Sequence, residues 1–192
     1  HEVQKYYRIP LTSLIDTQSY MGYGIQSLVD SACASLNEFD KKEALLLFHQ
    51  VYATCFNHES KPYVGIIKGL KQCKEKGIKL AVVSNKANEY TQILIDTHFK
   101  EIQFDYVLGA YSTLLKKPFP DMLNHVIEVI HIEAKDCLYV GDTEVYVQAA
   151  NSSIIYVMVV GWGYRDLDSL RKMNIYASAH SVEDCFSQVA CV

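Results

Sequence analysis

Positive charge is scarce in this chain: 18 Lys and Arg stand against 22 Asp and Glu in 192 residues, a formal net charge of −4. A nucleic-acid or anionic-membrane surface wants clustered Lys and Arg, so neither kind of partner is expected. Long apolar runs are missing too. The longest, Ile154 to Val160, is far too short to span a bilayer. No charged-then-apolar leader opens the chain, and position 1 is His rather than Met, so a processed product or a portion of a longer chain is expected. The six cysteines (Cys33, Cys55, Cys73, Cys137, Cys185, Cys191) include no C-x-x-C pair, and the seven histidines lack metal-ligand spacing such as H-x-x-x-H. Reduced, mostly buried thiols and a cytoplasmic protein are the expectation. Internal repeats and low-complexity tracts are absent as well.

What is present is a folded-protein composition, 49% hydrophobic and 21% charged, which excludes a disordered chain. At this length one domain, or one domain with a smaller insert, is the default. Two textures meet near Lys61-Pro62. Before it, Gly24 to Leu36 and Asp40 to His58 read as amphipathic helices. Ala44, Leu45, Leu47, Phe48, Val51, Tyr52 and Cys55 recur at helical steps, with Asp40 as the N-cap. No strand-like run occurs there, so residues 1–60 are expected to form a small all-helical unit.

After Pro62 helix and strand alternate. The pattern predicts helices from Pro62 to Lys76, Glu89 to His98, Asp121 to His131, Glu144 to Ala150 and Val182 to Val189. Strands are predicted at Lys79 to Ser84, Phe104 to Leu108, Cys137 to Gly141 and Ile154 to Val160. Strands apolar on both faces that alternate with helices predict a parallel sheet covered on each side.

In an open parallel sheet, ligands bind beyond the carboxyl ends of the strands. One strand ends in Ser84-Asn85-Lys86 and a later one in Gly141-Asp142-Thr143. Between them lies the rigid turn Lys116-Lys117-Pro118-Phe119-Pro120-Asp121. Ser84, with the amides entering the next helix, suits a phosphoryl oxygen. Lys117 would set a fixed cation against a phosphate, and Asp142 is a hard-oxygen ligand suited to magnesium. Taken alone, Ser-Asn is often a helix cap, Lys-Pro a solvated loop and Gly-Asp a turn. In this order, each near a strand end, they describe a phosphate-handling site with one metal.

The runs Val82-Val83-Ser84-Asn85-Lys86, Lys117-Pro118-Phe119-Pro120-Asp121 and Tyr139-Val140-Gly141-Asp142-Thr143 resemble the haloacid dehalogenase (HAD)-like hydrolase superfamily, and within it phosphoglycolate phosphatases. Gly161-Trp162-Gly163-Tyr164, Ser181-Val182-Glu183-Asp184 and the helical opening region share the likeness. It is strongest from Pro62 to Val189. The resemblance implies an α/β fold: a Rossmannoid three-layer parallel sheet at 61–192 with a small α-helical cap at 1–60. It implies a magnesium-dependent hydrolase of a small phosphomonoester such as 2-phosphoglycolate, working through an aspartyl-phosphate. Ser84, Asn85 and Lys117 would bind the substrate, Ser84 and Lys117 would act in catalysis, and Asp142 would hold magnesium.

Two features depart from the family pattern. D-x-D-G-T, which would carry the nucleophile, occurs nowhere in the 192 residues, so that strand is expected upstream of His1. Its absence would leave two strand edges unpaired in mid-sheet. The acid often found four residues after the metal-binding Asp is here Tyr146, and Glu144 either substitutes through a water or is a first-turn helix acid favoured by the dipole. The competing reading is a catalytically degenerate binding or regulatory module. A hydrolytic dehalogenase is weaker, because Gly141-Asp142 looks like a metal site. A dinucleotide fold is weaker still, because Gly22-Tyr23-Gly24 and Gly161-Trp162-Gly163 lack a third glycine.

Overall fold

The computed structural model describes residues 1–111 and 113–189. These form two compact units, His1–Ser60 and Lys61–Val192; Cys191 lies outside the described residues. The first unit is all helical: α1 (Glu2–Tyr6), α2 (Leu14–Ser19), α3 (Ile25–Ala32) and α4 (Glu38–Cys55). Its core gathers Val3, Val29, Cys33 and Ala44. Buried Gln4 ties α1 to the following turn and to α3, donating to the carbonyls of Pro10 and Ala32. The α4 helix begins earlier than expected, because Asn37 rather than Asp40 is the N-cap. The Asn37 side chain accepts the Asp40 N–H at 2.9 Å.

The second unit alternates as its sequence predicts: α5 (Ile66–Glu75), β1 (Ala81–Ala87), α6 (Asn88–His98), β2 (Tyr106–Ala110), α7 (Asp121–Val129), β3 (Leu138–Gly141), α8 (Glu144–Ser152), β4 (Tyr156–Val160), α9 (Leu167–Leu170), β5 (Ala177–Ala179) and α10 (Val182–Val189). Helix α5 starts at Gly65, in the left-handed region with φ 89°, and not at Pro62. The short β5 and α9 carry no strong period and escape the sequence reading. No helix among the described residues is long and apolar enough to cross a membrane.

All strand pairing is parallel, but the strands form two sheets instead of one. β1 pairs with β2, and β3–β4–β5 form a separate three-stranded sheet. Alternation along β4 sends its side chains to opposite faces. Val157 and Val159 join Val83 of β1, Leu108 of β2 and Met122, Leu123 and Val126 of α7 in one buried cluster. Met158 and Val160 pack instead with Ala179 and Cys185. One face of the core is therefore continuous across both sheets, although among the described residues no strand joins β1 to β3. Cys33, Cys73 and Cys185 are buried free thiols, Cys137 is half-buried and free, and Cys55 is free on the surface.

Candidate active site

The β1–β2 pairing keeps register through Val83 and then shifts before Ala87. Ser84, Asn85 and Lys86 sit in that irregular stretch at the carboxyl end of β1, which frees their side chains for work outside the ladder. Ser84 Oγ accepts the Lys86 N–H at 3.1 Å, a local turn that shapes the strand end. Asn85 is buried and clamps the turn that follows β2. Its Oδ1 accepts the Lys117 N–H at 2.9 Å and its Nδ2 donates to the Lys117 carbonyl at 2.8 Å. Asn85 thus positions Lys117 through its backbone.

Lys117 is 2% exposed, while its neighbour Lys116 is exposed. The clamp turns the Lys117 side chain into the space between the two sheets. There Nζ donates to the Val83 carbonyl at 2.9 Å and to the Tyr139 hydroxyl at 2.8 Å. Tyr139, on β3, itself donates to the Val83 carbonyl at 3.1 Å. Side chains thus span from β3 to β1 where backbone pairing is missing. The Tyr146 ring lies over the same ammonium, 3.7 Å from Nζ to its centroid, and stacks on Tyr139 at 5.2 Å and 24°. Gly141 makes room for it, since a Cβ there would meet the Tyr146 ring at 2.1 Å.

Burial brings the Lys117 ammonium down to about 7, opposed by the nearby charge of Asp142. Burial also pushes the phenols of Tyr139 and Tyr146 well above their ordinary range, with the charge of Asp142 adding to it, so both stay protonated. Asp142 follows β3. Its Oδ2 accepts the Tyr164 N–H at 2.9 Å, which anchors the carboxylate to the loop after β4. The loop can come this close because residue 163 is glycine. A Cβ there would stand 2.1 Å from Asp142 Oδ2 and 2.2 Å from its Cβ. Gly163→Ala is therefore expected to cost about 1–3 kcal/mol by overpacking and to displace the carboxylate, which urea denaturation checks; unchanged stability would contradict this packing.

Glu144 is settled by its partner. Its two oxygens take Arg165 Nε at 2.8 Å and Nη2 at 3.0 Å, a bidentate pair that commits the carboxylate to structure. Arg165 carries no signal of its own in the sequence, and Tyr139 and Tyr164 stand there only within family-like runs, with no role of their own. The Gly163-Tyr164-Arg165 run after an apolar strand was the available signal for two of them.

The donors can be tested against a magnesium ion. Asp142 offers one carboxylate, already engaged on one oxygen, while Tyr146 is a neutral phenol and Glu144 is held by Arg165. Among the described residues no group of three or more His, Cys, Asp or Glu gathers. Magnesium demands near-octahedral oxygen ligation, and the described residues do not by themselves fit it as a resident ion.

The model for the family described as "Haloacid dehalogenase-like hydrolase" matches residues 1–160. Phosphoglycolate phosphatase of Aquifex aeolicus is 31% identical over 150 residues, covering 78% of this chain and 69% of the relative. Phosphoglycolate phosphatase of Nitrosospira multiformis is 31% identical over 163 residues, covering 82% and 70%. Among solved structures, a phosphoglycolate phosphatase candidate from Lactobacillus delbrueckii subsp. bulgaricus superposes with a TM-score of 0.91 at 26% identity, covering 98% of this chain and 88% of that one. A haloacid dehalogenase-like hydrolase from Streptococcus pneumoniae shares the fold with a TM-score of 0.86 at 17% identity, covering 97% and 86%. With its parallel sheets, its strand-end site and a family match over most of its length, the chain belongs to the haloacid dehalogenase-like hydrolases.

Proposed function

We propose that this protein is a phosphatase of small phosphomonoesters, of the 2-phosphoglycolate type, in which Lys117 and Ser84 hold the transferring phosphoryl group. The observation that carries the reading is Lys117: a lysine buried between two sheet edges, clamped by Asn85, with no carboxylate among the described residues bonded to its ammonium. Burying a cation in this way is costly, and a phosphate or carboxylate brought to it would offset that cost. Asn85, expected to touch substrate, acts in this reading as the positioning residue for Lys117. The nucleophilic aspartate comes from a strand outside the 192 residues that pairs between β1 and β3. Its carboxylate attacks phosphorus to give an aspartyl-phosphate, the alcohol leaves, and water cleaves the acyl phosphate. Asp142 is the carboxylate that this chain would contribute to a magnesium ion. The helical unit at 1–60 serves as a cap that selects the small metabolite, and the compartment is the cytoplasm.

The test is release of orthophosphate from 2-phosphoglycolate by the natural gene product. Asp142→Asn should reduce it by at least a hundredfold. Full activity in that variant, or no release from any small phosphate ester, would remove the reading. In the second case a binding module becomes the better account, favoured by the absence of D-x-D-G-T in the 192 residues and by Tyr146.

A further inference from the structure

We propose that Tyr146 is the positioning partner of the Lys117 ammonium, and that the Lys117–Tyr146 pair takes a phosphate-sized anion without a divalent cation. This rests on Lys117 being the anion contact, as proposed above. Three observations carry it. The Tyr146 ring face is 3.7 Å from Nζ and is braced by stacking on Tyr139, so an uncharged π-face stands beside the buried cation. Among the described residues, Asp142 is the carboxylate left to this strand end, since Glu144 is paired with Arg165. The third is an exchange built into the hydrogen bonds. Tyr139 donates to the Val83 carbonyl in its own right, so an anion can take the Nζ–H now given to Tyr139 without leaving either oxygen stranded. A carboxylate at position 146 would instead pair with Lys117, cancel its charge and repel phosphate. Only a divalent ion between that carboxylate and Asp142 would restore binding. A ring at 146 sets no negative charge against Lys117 and leaves the ammonium for the anion.

The experiment is an isothermal titration of the whole chain with inorganic phosphate, once in EDTA and once in magnesium, with circular dichroism on every variant to confirm folding. The native chain should bind phosphate within twofold equally in both buffers. Tyr146→Phe, which keeps the ring, should bind like the native chain, and Tyr146→Leu should bind on the order of tenfold more weakly. Tyr146→Asp should lose binding in EDTA and regain it in magnesium. Lys117→Met separates the two proposals. If it binds phosphate normally, Lys117 is not the anion contact and the underlying reading fails. If it does not bind, but Tyr146→Leu matches the native chain, only the role of Tyr146 fails. A native chain that binds phosphate in magnesium alone also overturns the inference, and one that binds in neither buffer overturns both.

Discussion

In the Lys117→Met variant, phosphate binding and turnover are expected to vanish while thermal stability rises. Lys117 is held as a cation in the protein interior with a carbonyl, a phenol and a ring face as neighbours, and burial brings its ammonium down to about 7. At neutral pH the unfolded chain keeps that proton in water, and the folded chain holds it only at a cost. Methionine fills a similar volume with no charge to desolvate. Nothing polar is stranded by the change, because the Val83 carbonyl still accepts the Tyr139 hydroxyl. The net gain should be about 2 kcal/mol at pH 7, or roughly 4–8 °C in Tm. Loss of turnover should be about a hundredfold to a thousandfold, as for removal of a group that meets transition-state charge. Thermal denaturation and phosphate release, measured on the same protein, check both halves. A fall of several degrees would mean that the ammonium contributes to stability, and its reading as a functional burden would fail.

How much of this could be read from the chain alone follows from what each residue's signal encodes. The strands were legible, and so were the ends of β3 at Gly141 and of β4 at Val160, because apolar runs such as Leu138 to Val140 stop abruptly at small or polar residues, and that boundary is a local property; β1 and β2 run past the expected Ser84 and Leu108 to Ala87 and Ala110. The alternation of helix and strand, and the all-helical texture before Lys61, were legible for the same reason. Direction was not. Lys116 and Lys117 are chemically identical neighbours in a Lys-Pro turn, yet one is exposed and the other buried. The difference is made by Asn85, 32 residues earlier, whose side chain grips the Lys117 backbone at both ends. Tyr146 was legible only as a missing acid. Where its ring lies depends on Gly141, which leaves space for it, and on Tyr139, which stacks on it. β5 escaped because Ala177-Ser178-Ala179 has neither branched side chains nor an alternating pattern, and its strand is made by pairing with β4. The division of the sheet was anticipated from the lack of a D-x-D-G-T strand. The way Lys117 and Tyr139 bridge it was not.

Between pH 7 and 9 the native chain should gain stability relative to Lys117→Met. The sign follows from proton counting. Lys117 titrates at about 7 when folded against 10.5 when free. Between these values the unfolded chain binds a proton that the folded chain has released. Raising the pH removes this preference for the unfolded state, so unfolding becomes harder by up to about 1.4 kcal/mol per pH unit. Because Lys117 is half protonated at pH 7, the gain from 7 to 9 should total about 2 kcal/mol. Below about 7 both states carry the proton and the contribution levels off. Of the other shifted groups, the carboxylates lie outside the window and the thiols reach into its upper end. The lowered carboxylates, Asp105, Asp166, Asp184, Glu2, Glu38 and Glu101, start from ordinary values of 3.8 or 4.5 and shift downward, so they are ionised in both states throughout. The buried thiols of Cys33, Cys73, Cys137 and Cys185 are raised from 9.0, and the phenols of Tyr7, Tyr139 and Tyr146 from 10.0. Their folded states hold protons that the unfolded chain loses as the pH nears and passes these values, so the thiols already lower stability towards pH 9, a loss that the native chain shares with Lys117→Met. Lys41 is raised from 10.5 and likewise acts beyond the window. Urea denaturation of the native chain and Lys117→Met at matched pH values isolates the lysine by difference. Parallel curves from pH 7 to 9 would show that Lys117 keeps an ordinary affinity for its proton in the folded chain. A close counter-charge would then have to stand beside Lys117 where the structure places a ring and a hydroxyl.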